Sequence, residues 1–192
     1  MISRYSVLII LAVHLLFTAG CAVTNKYGQY YGKVIDAETK APIEGAAVLV
    51  VYMTEQYGLA GAVSYFADAQ EVVTDKNGEF KIPAKRLFTF RIISGWERYP
   101  QFRIFMPGYG CYPKHKGVKP MFDPNGTLPT DQYVTIELPN VNQESKKSRL
   151  ENYGCYPSPS VPETAYKKLL HLINQEAIFL GLEPDREPGD GK

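Results

Sequence analysis

Histidine is scarce in this sequence, and acid/base chemistry near neutral pH is correspondingly thin. The only three are His14, His115 and His171. His14 lies in an N-terminal leader, so two remain as candidate proton carriers. No nucleophile elbow, phosphate-binding glycine loop or zinc-protease pattern is present. There is no excess of either charge: 21 Lys and Arg stand against 20 Asp and Glu, a net +1. That balance removes any global reason to expect nucleic acid. No apolar run is long enough for a comfortable membrane-spanning helix; residues 7–17 are apolar apart from His14 and then stop. Low-complexity bias is also missing, because the 14 Pro and 16 Gly are spread between apolar runs as turn punctuation.

The short apolar run has a definite meaning at the N-terminus. Arg4 precedes it, and Thr18-Ala19-Gly20-Cys21 follows. This is the layout of a cleaved export signal over 1–20. Thr-Ala-Gly-Cys resembles a bacterial lipobox, although Thr18 stands where Leu is usual. The resemblance implies that Cys21 becomes the lipidated N-terminus, held on a membrane by acyl chains without a spanning helix. Ala22 stands where an inner-membrane retention signal would place Asp, so the resemblance points to the outer membrane. Residues 21–29 read as a polar tether.

From residue 30 the pattern is that of a β-sandwich: strands over 30–36, 46–53, 70–74, 79–82, 87–94, 101–106 and 133–138, separated by Gly and Pro. Residues 46–53, Ala-Ala-Val-Leu-Val-Val-Tyr-Met, are almost wholly apolar and predict a strand buried on both faces. Fourteen Tyr and nine Phe suit such pleated, half-buried surfaces.

Two motifs frame this region. Residues 32–48 read Gly-x-Val-x-Asp-x-x-Thr-x-x-Pro-Ile-x-Gly-Ala-x-Val, and residues 74–80 read Thr-Asp-x-x-Gly-x-Phe. With Pro107-Gly108-Tyr109 they resemble the carboxypeptidase regulatory-like domain family over about residues 30–139. The resemblance implies a transthyretin-like fold, seven strands in two sheets, and does not imply a reaction. Its motif residues have structural reasons here: Gly45 and Gly78 for turn backbone, Asp36, Thr39, Thr74 and Asp75 as acceptors for turn amides, and Val34, Val48 and Phe80 as core. The chain departs from the family at 54–68, an aromatic, Gly/Ala-rich insertion carrying Tyr57, Tyr65 and Phe66. It reads either as a binding surface or as a flap packed over a sheet edge.

After the sandwich, Tyr109-Gly-Cys-Tyr-Pro113 recurs as Tyr153-Gly-Cys-Tyr-Pro157. Cys111 and Cys155 are the two cysteines left once Cys21 is assigned to the anchor, and in an oxidising compartment they are expected to form a disulfide. A Cys2His2 metal site with His115 and His171 is the alternative, but no compact ligand spacing supports it, so no metal and no cofactor are expected. Ser160-x-x-Glu163 is a capping-box pattern that predicts a helix over 163–180 behind a polar linker, with Gly181 as its C-terminal cap. Residues 184–192 read as a disordered tail.

These readings point to a non-catalytic, lipid-anchored envelope protein with a protein partner. The alternatives are a carbohydrate or peptidoglycan-fragment module stacking its ligand on Trp96, Tyr57, Tyr65 and Tyr99, and a hydrolase built on His115.

Overall fold

A computed structural model describes residues 24–58, 61–89, 94–97, 99–119, 126–141 and 155–185. The expected leader, Cys21, residues 142–154 of the linker region and residues 186–192 lie outside the described residues. The strands are β1 (Thr24–Tyr27), β2 (Tyr30–Asp36), β3 (Ala47–Gly58), β4 (Gly61–Val73), β5 (Glu79–Ile82), β6 (Lys85–Phe88), β7 (Ser94–Trp96), β8 (Gln101–Phe105) and β9 (Tyr133–Leu138). A 3-10 turn, Glu163–Ala165, leads into the one described α-helix, α1 (Lys167–Phe179). The fold is mainly β.

Of the three described sheets, one is the two-stranded β1–β6 pair and a second has the order β5-β2-β9, with β2 and β9 parallel. The third is built on β3, which pairs with β4 along one edge and with β8 and then β7 along the other. Val34, Val48, Val50, Tyr52, Phe80, Ile82, Phe102, Ile104, Val134 and Ile136 fill the space between the second and third sheets. Alternation sends the other set of β3 side chains the opposite way. Ala47, Leu49, Val51 and Met53 join Phe105 and the α1 residues Leu169, Leu170, Ile173 and Ala177 in a second core. This is why residues 46–53 are apolar throughout: the strand has a core on each face. Each Leu or Ile so buried contributes about 1.5–3 kcal/mol.

The motif residues take the turn and core places their chemistry suggests. Gly45 and Gly78 have φ of +79° and +73°, and a Cβ on Gly78 would come within 2.5 Å of the Val34 carbonyl oxygen. Thr74 Oγ1 accepts from the Ala46 amide at 2.8 Å and donates to the Ile43 carbonyl at 2.7 Å. Asp75 Oδ1 accepts from the amides of Asn77 and Glu79. Asp36 Oδ1 accepts from the amides of Glu38 and Thr39, both at 2.8 Å.

Those amides, that of Thr39 foremost, hold the Asp36 carboxyl below its ordinary value of 3.8. A depressed folded-state pKa gives stability that is present above the unfolded value and lost as pH falls through the folded one. Acid unfolding followed by circular dichroism is therefore expected to show a loss below about pH 4 that Asp36→Asn reduces. An unchanged acid limb in the variant would show that the turn carboxylate contributes nothing.

Several expectations are corrected. Nine strands are described instead of seven. The 21–29 tether contains β1, which pairs with β6 and buries Tyr27 against Tyr52, with ring centroids 4.5 Å apart. The 54–68 insertion is no loop: it continues β3 and β4 as a paired hairpin out to Gly58 and Gly61, past a bulge at Tyr52/Met53. The strand expected over 87–94 is divided into β6 and β7, with 90–93 outside the described residues. Pro184 and Asp185 belong to the fold, since Asp185 exchanges two hydrogen bonds with the Asn174 side chain.

The helix docks on the sandwich as its apolar stripe suggests, but its cap comes from elsewhere. Ser160 Oγ lies 3.1 Å from Ser158 Oγ, and no side-chain cap is made from within the segment. Glu71 of β4 supplies it, its two carboxylate oxygens accepting from the amides of Lys168 and Leu169 at 2.8 and 2.7 Å. Glu176, buried on α1, accepts from the Gly108 amide at 2.7 Å. At the far end the Leu182 and Gly181 amides bond back to Ala177 and Ile178, closing a Schellman turn.

The expected disulfide is not formed: Cys111 and Cys155 are buried within the helix–sheet core with no bridge between them. The Cys111 sulfur is instead 3.7 Å from the Tyr112 carbonyl oxygen. Between these elements lies Arg103, whose Nη1 donates to the Phe102 carbonyl at 2.6 Å and whose Nε donates to that of Tyr156 at 3.3 Å. Burial pushes this guanidinium below its ordinary value, opposed by the two nearby sulfurs. Arg103, with no bridge present, ties the 155–157 segment to β8.

Candidate functional site

The β3–β4 hairpin reaches beyond the sheet that carries it. Among the described residues β8 pairs with β3 from Ala47 to Val51, and β7 from Thr54 to Gln56. Past Gln56 the two arms pair only with each other among the described residues, Gln56 to Val63, Tyr57 to Ala62 and Gly58 to Gly61. Tyr57 is 68% exposed and Val63 54% exposed. The Tyr57 hydroxyl donates to Glu55 Oε2 at 2.5 Å, a bond that raises the phenol pKa and fixes the ring at the hairpin's outer end. Along its outer edge β4 pairs with no other described strand. Nearer the body this edge is guarded by charge, where Asp68 pairs with Lys85.

The residues expected to form one aromatic surface are not brought together. Tyr65 and Trp96 both lie opposite Thr54 and so share the face toward the inter-sheet core. Trp96 packs edge-on to Tyr27 at 6.3 Å, its buried Nε1 without a hydrogen-bond partner among the described residues. Phe66 faces the other way and packs into the helix–sheet core. Tyr99 is in a separate cleft of about 440 Å³, beside Tyr27, Tyr30, Leu128 and Pro129. Of the five, only Tyr57 stands at the outer end of the hairpin.

The histidines take no shared site. The His115 ring packs over Gly110, and its Nδ1 accepts from the Gly117 amide at 3.1 Å, which makes it the centre of a turn. His171 lies on the exposed side of α1 beside Gln175, whereas Cys111 and Cys155 lie beneath the helix. Among the described residues no group of three His, Cys, Asp or Glu is arranged to hold a metal ion.

A second concave surface was not anticipated. A cleft of about 520 Å³ opens at the β5 edge of the small sheet, lined by Gln29, Tyr31, Val72, Asp75, Glu79, Lys81 and Tyr133, among others. Tyr31 and Tyr133 are opposite one another in the parallel β2–β9 register, with rings 6.1 Å apart at 68°. The alternation Tyr-Val-Thr-Ile-Glu-Leu in β9 already turns Tyr133 outward. What the sequence does not reveal is that a parallel partner puts Tyr31 beside it, because that contact joins residues about a hundred positions apart.

No protein-family model matches the chain, and no curated protein matches it. Among solved structures, an alternative pilotin from the type II secretion system of Vibrio cholerae is similar at 22% identity, over 62% of this chain and 99% of that one, with a TM-score of 0.27. A 9R-lipoxygenase from Cyanothece PCC8801 is similar at 12% identity, over 93% of this chain and 29% of that one, with a TM-score of 0.25. At such TM-scores neither likeness bears on fold or role. No described helix is long and apolar enough to cross a membrane.

Proposed function

We propose that this protein is a non-catalytic envelope lipoprotein, anchored through Cys21 to the outer membrane, whose sandwich presents the β3–β4 hairpin to a protein partner. The observation that carries the reading is the hairpin itself: two paired arms extending past the described parts of β7 and β8, with Tyr57 and Val63 exposed and no described strand paired along the β4 edge. An open edge can take an extended segment of another chain by main-chain pairing, and an exposed Tyr is the kind of side chain that anchors such contacts. The Thr-Ala-Gly-Cys motif supports the anchor. The turn and core roles of Asp36, Gly45, Thr74 and Gly78 support a carboxypeptidase regulatory-like scaffold. They make the most recognisable residues part of the framework.

Photo-cross-linking from position 57 in native envelopes tests this. One discrete protein adduct is expected from that position and none from an exposed position on β9 such as Thr135. Equal labelling from both positions, or none from either, would count against the hairpin.

A further inference from the structure

The tyrosine cleft at the β5 edge is independent of the hairpin, and its chemistry is specific enough to name a ligand class. Both phenols are committed. Tyr31 donates to the Asp131 carbonyl and Tyr133 to Glu79 Oε1, each at 3.1 Å. The hydroxyls therefore hold the rings in place as an angular pair, and Tyr133 remains 53% exposed. Its position is backed by a rigid turn, because Asp75 Oδ1 binds the amides of Asn77 and Glu79. Around the rings stand acceptors, Asp75 and Glu79, and donors, Gln29 and Lys81. Lys81 makes no ion pair among the described residues.

A fixed, exposed ring excludes a purely polar ligand, and the mixture of carboxylate and ammonium groups disfavours a ligand of strong charge of either sign. An apolar ligand would desolvate those charged groups, and Lys81 has no ion-pair partner among the described residues to offset that. The remaining class has a flat apolar face and a rim of neutral hydroxyls, which describes a pyranose ring. The cleft is within the size range of small-molecule sites. We propose that the Tyr31–Tyr133 cleft binds a neutral saccharide, stacked on Tyr133 and hydrogen-bonded by Glu79, Asp75 and Lys81.

The test is binding of the full chain in detergent to arrayed oligosaccharides of β-linked glucose and of N-acetylglucosamine, with acidic glycans alongside. Wild-type protein is expected to retain neutral glycans. Tyr133→Ala is expected to bind about tenfold more weakly, the loss of one stacked ring, while Tyr133→Phe keeps the ring and stays within about threefold. Shortening the β3–β4 hairpin leaves this binding unchanged, so the site stands or falls apart from the partner surface. Absence of neutral-glycan binding, preference for acidic glycans alone, or full binding by Tyr133→Ala would overturn the assignment. If Tyr133→Ala melts early, tyrosine ring signals in the wild type decide by NMR: shifts at Tyr31 and Tyr133 on adding the neutral oligosaccharides support the site, and unmoved signals overturn it.

Discussion

Leu49→Ala is expected to destabilise the protein by about 2–5 kcal/mol, read as a lowered midpoint in urea. Leu49 is wholly buried on β3, facing the helix–sheet core with Leu169, Leu170 and Ile173. Truncation removes transfer energy and leaves a void between a sheet and a helix that are also held by polar contacts. Glu71 fixes the first turn of α1 and Glu176 ties its middle to Gly108, so the helix has little freedom to collapse inward. That places the expected cost toward the upper part of the range. Val63→Ala on the exposed hairpin is the matched control and is expected to stay within about 0.5 kcal/mol of wild type. A small effect at Leu49 would mean that the helix does not form a layer of the fold.

Thr74→Val is the second large effect. The substitution keeps shape and volume but removes a hydroxyl that both accepts from the Ala46 amide and donates to the Ile43 carbonyl. Thr74 is buried, so neither backbone group gains water in exchange. Two unsatisfied groups cost about 2–4 kcal/mol together. Thr74→Ser retains the hydroxyl and should recover most of the loss. Thermal unfolding of the three proteins checks this; equal midpoints for the Val and Ser variants would remove Thr74 from the framework.

These two residues differ in how far the sequence discloses them. Thr74 is legible as a framework residue from its motif, although its partners Ala46 and Ile43 lie in the other motif, 28 and 31 positions away. Leu49 was readable as buried, since an unbroken apolar run needs cover on both faces, and α1 provides the second cover. What stayed hidden depends on register and distant pairing. Thr24–Tyr27 is polar except for Tyr27, so nothing in its pattern announced that it pairs with Lys85–Phe88. Residues 54–68 lack the regular alternation of a half-buried strand because the hairpin arms leave the core, so they resembled a loop. The helix cap was misread for a related reason: Ser160 and Glu163 form the local pattern, but Glu71, about a hundred residues earlier, occupies the cap. Cys111 and Cys155 were rightly linked to one region but not as a bridge, and Arg103 between Phe102 and Ile104 gave no sign of standing beside them. Of the expected aromatic site Tyr57 and Tyr99 remain exposed, but at separate places, the hairpin end and the cleft beside Leu128. The tyrosine pair of the cleft required the parallel β2–β9 register, which no local signal specifies.

The central claim is that partner-protein binding is carried by the hairpin. It is tested most directly by replacing residues 57–62 with Asn-Gly, so that Gln56 and Val63, which already pair, are joined by a two-residue turn. Partner adducts are read from a photo-reactive residue at position 64, which is exposed in the wild type and retained in the shortened chain. The account predicts an unfolding midpoint within a few degrees of wild type and loss of the adduct in native envelopes. A shortened protein that melts normally and still yields the same adduct would contradict it.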